Sequence, residues 1–228
     1  MRKYLIVIVA LLIGCQGAAV EKVSLDNDVN KTSYAIGVDL GKNFKGQMME
    51  VNPDALAMGL REALAEGDLQ MTEEEMQAAI MQLQQSMQEK QNETRKAMTG
   101  KNKTEGEAFL KENATKEGVK TTASGLQYKV IKAGTGKTPG LNDTVETHYR
   151  GTLIDGTVFD SSYDRGETAT FPVSGVISGW TEALQMMKEG GTWQLYIPSE
   201  LAYGSRGAGG KIGPDAVLIF DIELIAVK

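Results

Sequence analysis

The spacing of apolar residues changes once along this chain, and that change limits the fold more than any other feature. In the first half, apolar side chains recur every three or four positions: Ile36, Leu40 and Phe44, then Leu56, Leu60 and Leu64, then Met76, Ile80, Leu83 and Met87. That is the period of helices with one apolar face. From Gly125 onward the period falls to two. Gly125-Leu126-Gln127-Tyr128-Lys129-Val130-Ile131 reads as a strand, and so does Asp143 to Leu153, where Val145, Thr147 and Tyr149 share a side. The last strand, Val217 to Val227, alternates Leu218, Phe220, Ile222 and Leu224 inward. A helical part is therefore followed by a β-rich part, and 228 residues leave room for both.

Local signals punctuate the helical part. Thr32 and Ser33 are candidate caps for a first helix that Gly46 closes. Asn52-Pro53 is a cap followed by proline at the first helical position, and Gly67 is the expected stop of that helix. Thr72-Glu73-Glu74-Glu75 is a capping box that opens a long helix. Three small amphipathic helices cannot enclose a core alone, so their apolar faces point to a second copy of the chain. The methionines are either core filler or an adaptable surface for unfolded clients. From Gln82 to Lys120 the chain is polar and reads as a long solvated helix, with Gly100 as a candidate break. Five Asn-x-Thr sequons, at Asn30, Asn92, Asn102, Asn113 and Asn142, read as incidental.

In the β-rich part, Asp155-Gly156 signals a two-residue hairpin and Thr157 to Asp160 the returning strand. Ala169 to Val173 is a short strand whose Pro172 favours an edge or a bulge. Trp180 to Lys188 is the one convincing helix, stopped by Gly190-Gly191, and Thr192 to Ile197 is a further strand. The expected fold class is α+β: a curved antiparallel sheet wrapped on one short helix, preceded by an all-α region and a long connecting helix.

The N-terminus reads as a targeting segment. Met1-Arg2-Lys3-Tyr4 is a short basic start, and Leu5 to Ile13 is an apolar run too short to span a bilayer. Leu12-Ile13-Gly14-Cys15 resembles the bacterial lipobox, in which the cysteine is lipidated and becomes the mature N-terminus. The alternative is a conventional cleavage after Gly17-Ala18-Ala19, which leaves a soluble periplasmic protein. Cys15 is the only cysteine, so either route leaves no disulfide. Net charge is −6, and loss of the first fourteen residues removes Arg2 and Lys3 and makes it −8. That balance argues against a nucleic-acid partner. One His and one Cys make no credible metal site, and His148 alternates away from Tyr149 on its strand, outside any catalytic role.

The chemistry is concentrated after residue 145. Tyr149, Phe159, Val176, Ile177, Trp180, Tyr203 and Phe220 stand beside turns or at strand ends, with a single prominent acid, Asp160. A dry aromatic pocket with few titratable groups suits a reaction that cleaves no bond, such as rotation about an X-Pro amide.

Residues from about 120 to 228 closely resemble an FKBP-type peptidyl-prolyl cis-trans isomerase domain. The helical region before it is similar to the N-terminal dimerisation domain of the bacterial macrophage-infectivity-potentiator class. This resemblance implies an enzyme without a cofactor that accelerates X-Pro rotation in exported proteins as they fold, with additional chaperone activity. The rival reading is a non-catalytic holdase or binding lipoprotein that retains the pocket. Residue by residue, the resemblance makes Trp180 the pocket floor, and Tyr149, Phe159 and Phe220 its walls, with Val176 beside them. The Tyr203 hydroxyl and Ile177 N–H would bond substrate carbonyls. Asp160 would lie beside the twisting carbonyl, held by Arg165.

Three residues depart from the family pattern: Ala169, where a large aromatic often stands, and Ala208 and Lys211 in the glycine-rich loop. Substrate preference and macrolide affinity are left open by them. The expected organisation is a signal peptide over 1–14, a tether over 15–30, a helical dimerisation domain over 31–90, a linker helix over 91–118 and the isomerase domain over 119–228. The partners implied are proline-containing polypeptides, a second copy of the chain, and an outer membrane facing the periplasm, reached through the lipid on Cys15.

Overall fold

The computed structural model describes residues 23–65 and 68–228, so the lipobox with Cys15 and the stop expected at Gly67 lie outside the described residues. The chain divides into two compact units, one ending at Ala79 and the other beginning at Ile80.

In the first unit, α1 runs Asp28–Gly46 and α2 runs Pro53–Leu64. Helix α1 starts before the expected Thr32 and Ser33, because the Asn27 side chain accepts the Asn30 N–H at 2.8 Å and caps it earlier. Asn52 does the same for α2, accepting from Asp54 and Ala55, with Pro53 in the first turn as expected. Neither helix buries a single residue in one copy of the chain. Leu60 and Leu64 are 61% and 76% exposed, and an apolar stripe left this open is unusual for a finished surface.

Helix α3, Glu73–Asn113, spans the boundary between the units. Its capping box is formed in both directions: the Glu75 N–H donates to Thr72 Oγ1, and the Thr72 N–H donates to Glu75 Oε2. The helix continues through Gly100 without the anticipated break. A lone glycine costs only about 1 kcal/mol relative to alanine, which the contacts described below offset.

The second unit is a seven-stranded antiparallel sheet. Its strands are β1 (Val119–Thr121), β2 (Gln127–Lys132), β3 (Thr144–Leu153), β4 (Val158–Ser161), β5 (Ala169–Pro172), β6 (Thr192–Ile197) and β7 (Leu218–Val227). The order is β1-β2-β6-β7-β3-β4, and β5 pairs with the first part of β3. The short β1 was not anticipated from the sequence. Pro172 ends β5 at the sheet edge, where its missing N–H costs nothing.

The β3–β4 connection is one residue longer than the expected hairpin. Leu153 N–H donates to the Thr157 carbonyl and Gly156 N–H to the Leu153 carbonyl, leaving a three-residue loop. Only Gly156, at φ +85°, takes the left-handed region there, whereas a two-residue type I′ turn needs it twice.

Helix α5, Ser178–Leu184, packs on the concave face. It is shorter than the expected Trp180–Lys188 at its C-terminal end, where the chain continues as turns through Met187 N–H on the Ala183 and Leu184 carbonyls. Leu218, Ile222 and Leu224 of β7 are fully buried and Phe220 is 5% exposed, as the alternation requires. A second, one-turn helix, α4 (Ser162–Arg165), follows β4 and was missed in the sequence. Ser161 caps it, and Gly166 at φ +74° ends it.

Candidate active site

A cavity of about 600 Å³ opens in the second unit. It is lined by Tyr149, Phe159, Asp160, Phe171, Gly175, Val176, Ile177, Trp180, Tyr203 and Phe220. The sheet supplies Tyr149 from β3, Phe159 and Asp160 from β4, Phe171 from β5 and Phe220 from β7. Helix α5 supplies Trp180, and the loop after β6 supplies Tyr203.

Trp180 is the hub of the rings. Its centroid lies 5.3 Å from Tyr149, 5.9 Å from Phe171 and 5.1 Å from Phe220, each at an interplanar angle above 80°. Edge-on contacts of this kind contribute about 0.5–1.5 kcal/mol each beyond area burial, so the floor is rigid. Phe159 completes the wall edge-on to Phe220 at 5.4 Å.

Space for those rings depends on Gly151, which lies opposite both Asp160 and Phe220 in the sheet register. A Cβ there would come within 2.5 Å of the Phe159 ring and 2.8 Å of Phe220. In the sequence Gly151 falls within the Asp143–Leu153 strand, and nothing in its spacing reveals this role.

One corner of the cavity is polar. The Tyr149 hydroxyl donates to Asp160 Oδ2 at 2.6 Å and accepts from Arg165 Nη2 at 2.8 Å, while Arg165 Nη1 bonds Asp160 Oδ1. The one-turn helix α4 brings Arg165 back to the carboxylate five residues before it. Burial alone would raise the Asp160 pKa, but the hydrogen bonds from Tyr149 and Arg165 outweigh it and hold it below the usual 3.8. Burial, and then the bond to the carboxylate, raise the Tyr149 pKa above 10.0, so the phenol stays a donor. The bonds to Tyr149 and Asp160 raise Arg165 further still. Asp160 and Arg165 side chains are each 43% exposed, so the pair itself adds little stability; its effect is to fix the carboxylate's direction.

Ile177 precedes α5, and its carbonyl accepts from the Trp180 and Thr181 N–H groups. Its own N–H lies ahead of the first helical turn and is not used in the helix ladder. Tyr203 is 41% exposed, the most open of the lining rings.

The sequence points to nine residues for the site. The structure brings eight of them to the cavity wall and sets Arg165 behind Asp160. Phe171 and Gly175 line it as well and were missed. Alternation along β5 could have found Phe171, because it shares a face with Ala169. The small Ala169 packs against the core while Phe171 closes that side. Ala208 and Lys211 are not among the lining residues. His148 faces elsewhere: its Nδ1 is 2.9 Å from Ser162 Oγ and its ring stacks on Tyr163 at 4.5 Å.

A curved antiparallel sheet around one helix, with a ring-lined hollow and a single oriented carboxylate, defines a prolyl-peptide isomerase domain. The chain belongs to the FKBP-type peptidyl-prolyl cis-trans isomerases. The family described as "FKBP-type peptidyl-prolyl cis-trans isomerase" matches residues 135–225. That described as "Domain amino terminal to FKBP-type peptidyl-prolyl isomerase" matches residues 29–130.

Among curated relatives, "Outer membrane protein MIP" of Legionella longbeachae is 49% identical over 97% of this chain and 95% of its own length. "Peptidyl-prolyl cis-trans isomerase Mip" of Coxiella burnetii is 46% identical over 96% and 95%. The solved structure of FkpA from Escherichia coli, 37% identical, superposes with a TM-score of 0.68 over 90% of this chain and 99% of that one. The protein is thus a peptidyl-prolyl isomerase that binds proline-containing polypeptides and accelerates X-Pro rotation during folding.

Proposed function

We propose that catalysis rests on three groups, Asp160, Tyr203 and Ile177, with Tyr149, Phe159, Val176, Trp180 and Phe220 gripping the prolyl ring and Arg165 holding Asp160. The planar amide is kept flat by resonance, with a barrier of about 20 kcal/mol. At the twisted transition state the nitrogen no longer shares its electrons with the carbonyl, and the group is less dipolar. A dry, ring-lined cavity therefore disfavours the planar form relative to the twisted one. The decoupled carbonyl carbon becomes more electropositive, and the ionised Asp160 oxygen beside it favours that state. The Tyr203 hydroxyl and Ile177 N–H donate to the flanking carbonyls and hold the backbone through the half-turn.

The observation that carries this reading is the convergence of residues from positions 149 to 220 on one cavity. A protease-coupled proline-peptide assay tests it. The Asp160→Ala/Tyr203→Ala double variant loses most of its turnover, and activity equal to wild type overturns the assignment.

The same reading extends to the rest of the chain. The exposed faces of α1 and α2 pair with those of a second copy, and the paired helices give the enzyme a surface for unfolded clients in addition to its catalytic pocket. The protein is exported and held at the outer membrane, facing the periplasm, through lipid on Cys15. The basic, apolar N-terminus supports this, as does the name of the Legionella relative. Metabolic labelling with a fatty acid tests the anchor: label survives in wild type and disappears in Cys15→Ser.

A further inference from the structure

The second half of α3 is polar, yet one side of it lies against the loop that follows Tyr203. Arg95, Met98, Asn102 and Gly106 recur at spacings of three, four and four and so share a helix face. Arg95 Nη2 donates to the Ser205 carbonyl at 2.7 Å, and Asn102 Nδ2 donates to the Pro214 carbonyl at 2.7 Å. A Cβ on Gly213 would come within 2.9 Å of Met98 Cε and 3.0 Å of Asn102 Nδ2. A Cβ on Gly106 would come within 2.8 Å of Val217 Cγ2. Helix and loop are thus in close contact at both ends of the loop.

The loop needs such support. Gly204, Gly207, Gly209 and Gly210 all have positive φ, as does Asp215 at 55°. A segment so rich in permissive residues has many competing conformations. Within it, the Ala208–Ile212 bridge and the Asp215 N–H on the Gly204 carbonyl at 2.9 Å are the main ties. Tyr203 adjoins this loop directly, and its ring lines the cavity.

We infer that α3 is a positioning element of the isomerase, in which Arg95 and Asn102 grip the Ser205 and Pro214 carbonyls and so fix the loop that presents the Tyr203 hydroxyl to substrate. This rests on the proposed role of Tyr203 as a donor. Arg95 and Asn102 do not touch substrate, and their influence passes through Tyr203.

The test is a double-mutant cycle on the full chain. Asn102→Asp keeps the shape of the side chain but replaces its donating amide with an acceptor, and Arg95→Ala removes the other donor. Together they lower kcat/KM on a proline peptide by roughly three- to tenfold and speed amide exchange over residues 204–215, with little change in melting temperature. Arg95→Lys, which keeps a donor, restores most of the activity. In a Tyr203→Phe background, the same pair of substitutions changes turnover by less than about twofold.

Wild-type turnover for the Arg95/Asn102 pair, beside a clearly impaired Tyr203→Phe, overturns the positioning role and leaves the Tyr203 reading standing. An equal fold-loss in both backgrounds also overturns it, because the contact is then structural only. Full activity of Tyr203→Phe defeats the Tyr203 reading and this inference with it.

Discussion

Gly151→Ala is the sharpest test of how the pocket is built. The added methyl would stand 2.5 Å from two atoms of the Phe159 ring and 2.8 Å from Phe220. Ordinary carbon contacts lie near ~3.5–4.0 Å, so the Phe159 ring must move by about 1 Å or more. Phe159 is only partly buried and can tilt outward, whereas Phe220 is fixed against Trp180. Overpacking of this kind costs about 1–3 kcal/mol. With about 2–4 °C of melting temperature per kcal/mol for a unit of about 150 residues, calorimetry would record a drop on the order of 2–12 °C. The tilted ring also withdraws from the prolyl side chain. A loss of about 1–2 kcal/mol of apolar contact becomes a five- to thirtyfold fall in kcat/KM at about 1.36 kcal/mol per decade. The cause is isolated by repeating the substitution in a Phe159→Ala background, where most of the clash is gone. There Gly151→Ala costs less stability, by at least about 1 kcal/mol. Equal costs in both backgrounds, or an unchanged Gly151→Ala enzyme, would refute the argument that this glycine makes room for the wall.

Three further outcomes follow from particular contacts. Asp160 has a folded pKa below 3.8, so the stability it supplies, and on its proposed role the activity, are complete above that value and fade only as pH falls through the still lower folded value. Turnover followed by NMR exchange is therefore flat from about pH 5 to 8 and declines in strong acid, and Asp160→Asn removes that decline. Asn113→Ala strands Gln127 Oε1, which accepts from Asn113 Nδ2 at 3.0 Å inside the fold, and denaturant unfolding registers a loss of about 1–3 kcal/mol. Leu60→Asp/Leu64→Asp places charges on the open face of α2 and yields a monomer by sedimentation with helicity retained, and a monomeric wild type refutes the dimer.

What the sequence made legible follows from the kind of signal each element carries. Capped helices and alternating strands announce themselves, and Asn52-Pro53, the Thr72 box and the β7 alternation all appear where their residues place them. The pocket rings were legible through the family resemblance, since aromatic residues at strand ends are otherwise as consistent with a core. The polar docking face of α3 was not legible. Hydrophobic periodicity detects apolar stripes, but this seam is built from Arg95, Asn102, Gly106 and Asn113, whose contacts are hydrogen bonds and close approach. Asn102 and Asn113 register in the sequence only as incidental sequons, yet Asn113 is 1% exposed. The second half of a helix read as solvated on both composition and charge thus keeps one side against the sheet domain. Gly151 escaped for a related reason: its role is an absence of atoms, which no pattern of side chains encodes.

The division between rigid and adaptable parts of the cavity follows from the reaction. Rotation about an amide makes no new bond, so the enzyme gains only from contacts that fit the twisted backbone better than the flat one. Such discrimination requires walls that do not follow the substrate, and rings from three strands locked edge-on around the helical Trp180, with Phe159 of β4 edge-on to Phe220, meet that need. A free carboxylate in the same hollow would hold water and weaken the desolvation on which the mechanism depends. Binding Asp160 between Tyr149 and Arg165 answers both needs, because the carboxylate stays ionised while each of its oxygens accepts from a protein donor. Tyr203, on the cavity wall, directly precedes the glycine-rich loop, in which Gly204, Gly207, Gly209 and Gly210 all take positive φ. The most open lining ring thus adjoins the most glycine-rich segment, and on the proposed role of its hydroxyl the contacts from α3 to Ser205 and Pro214 supply the order that the loop's own residues do not.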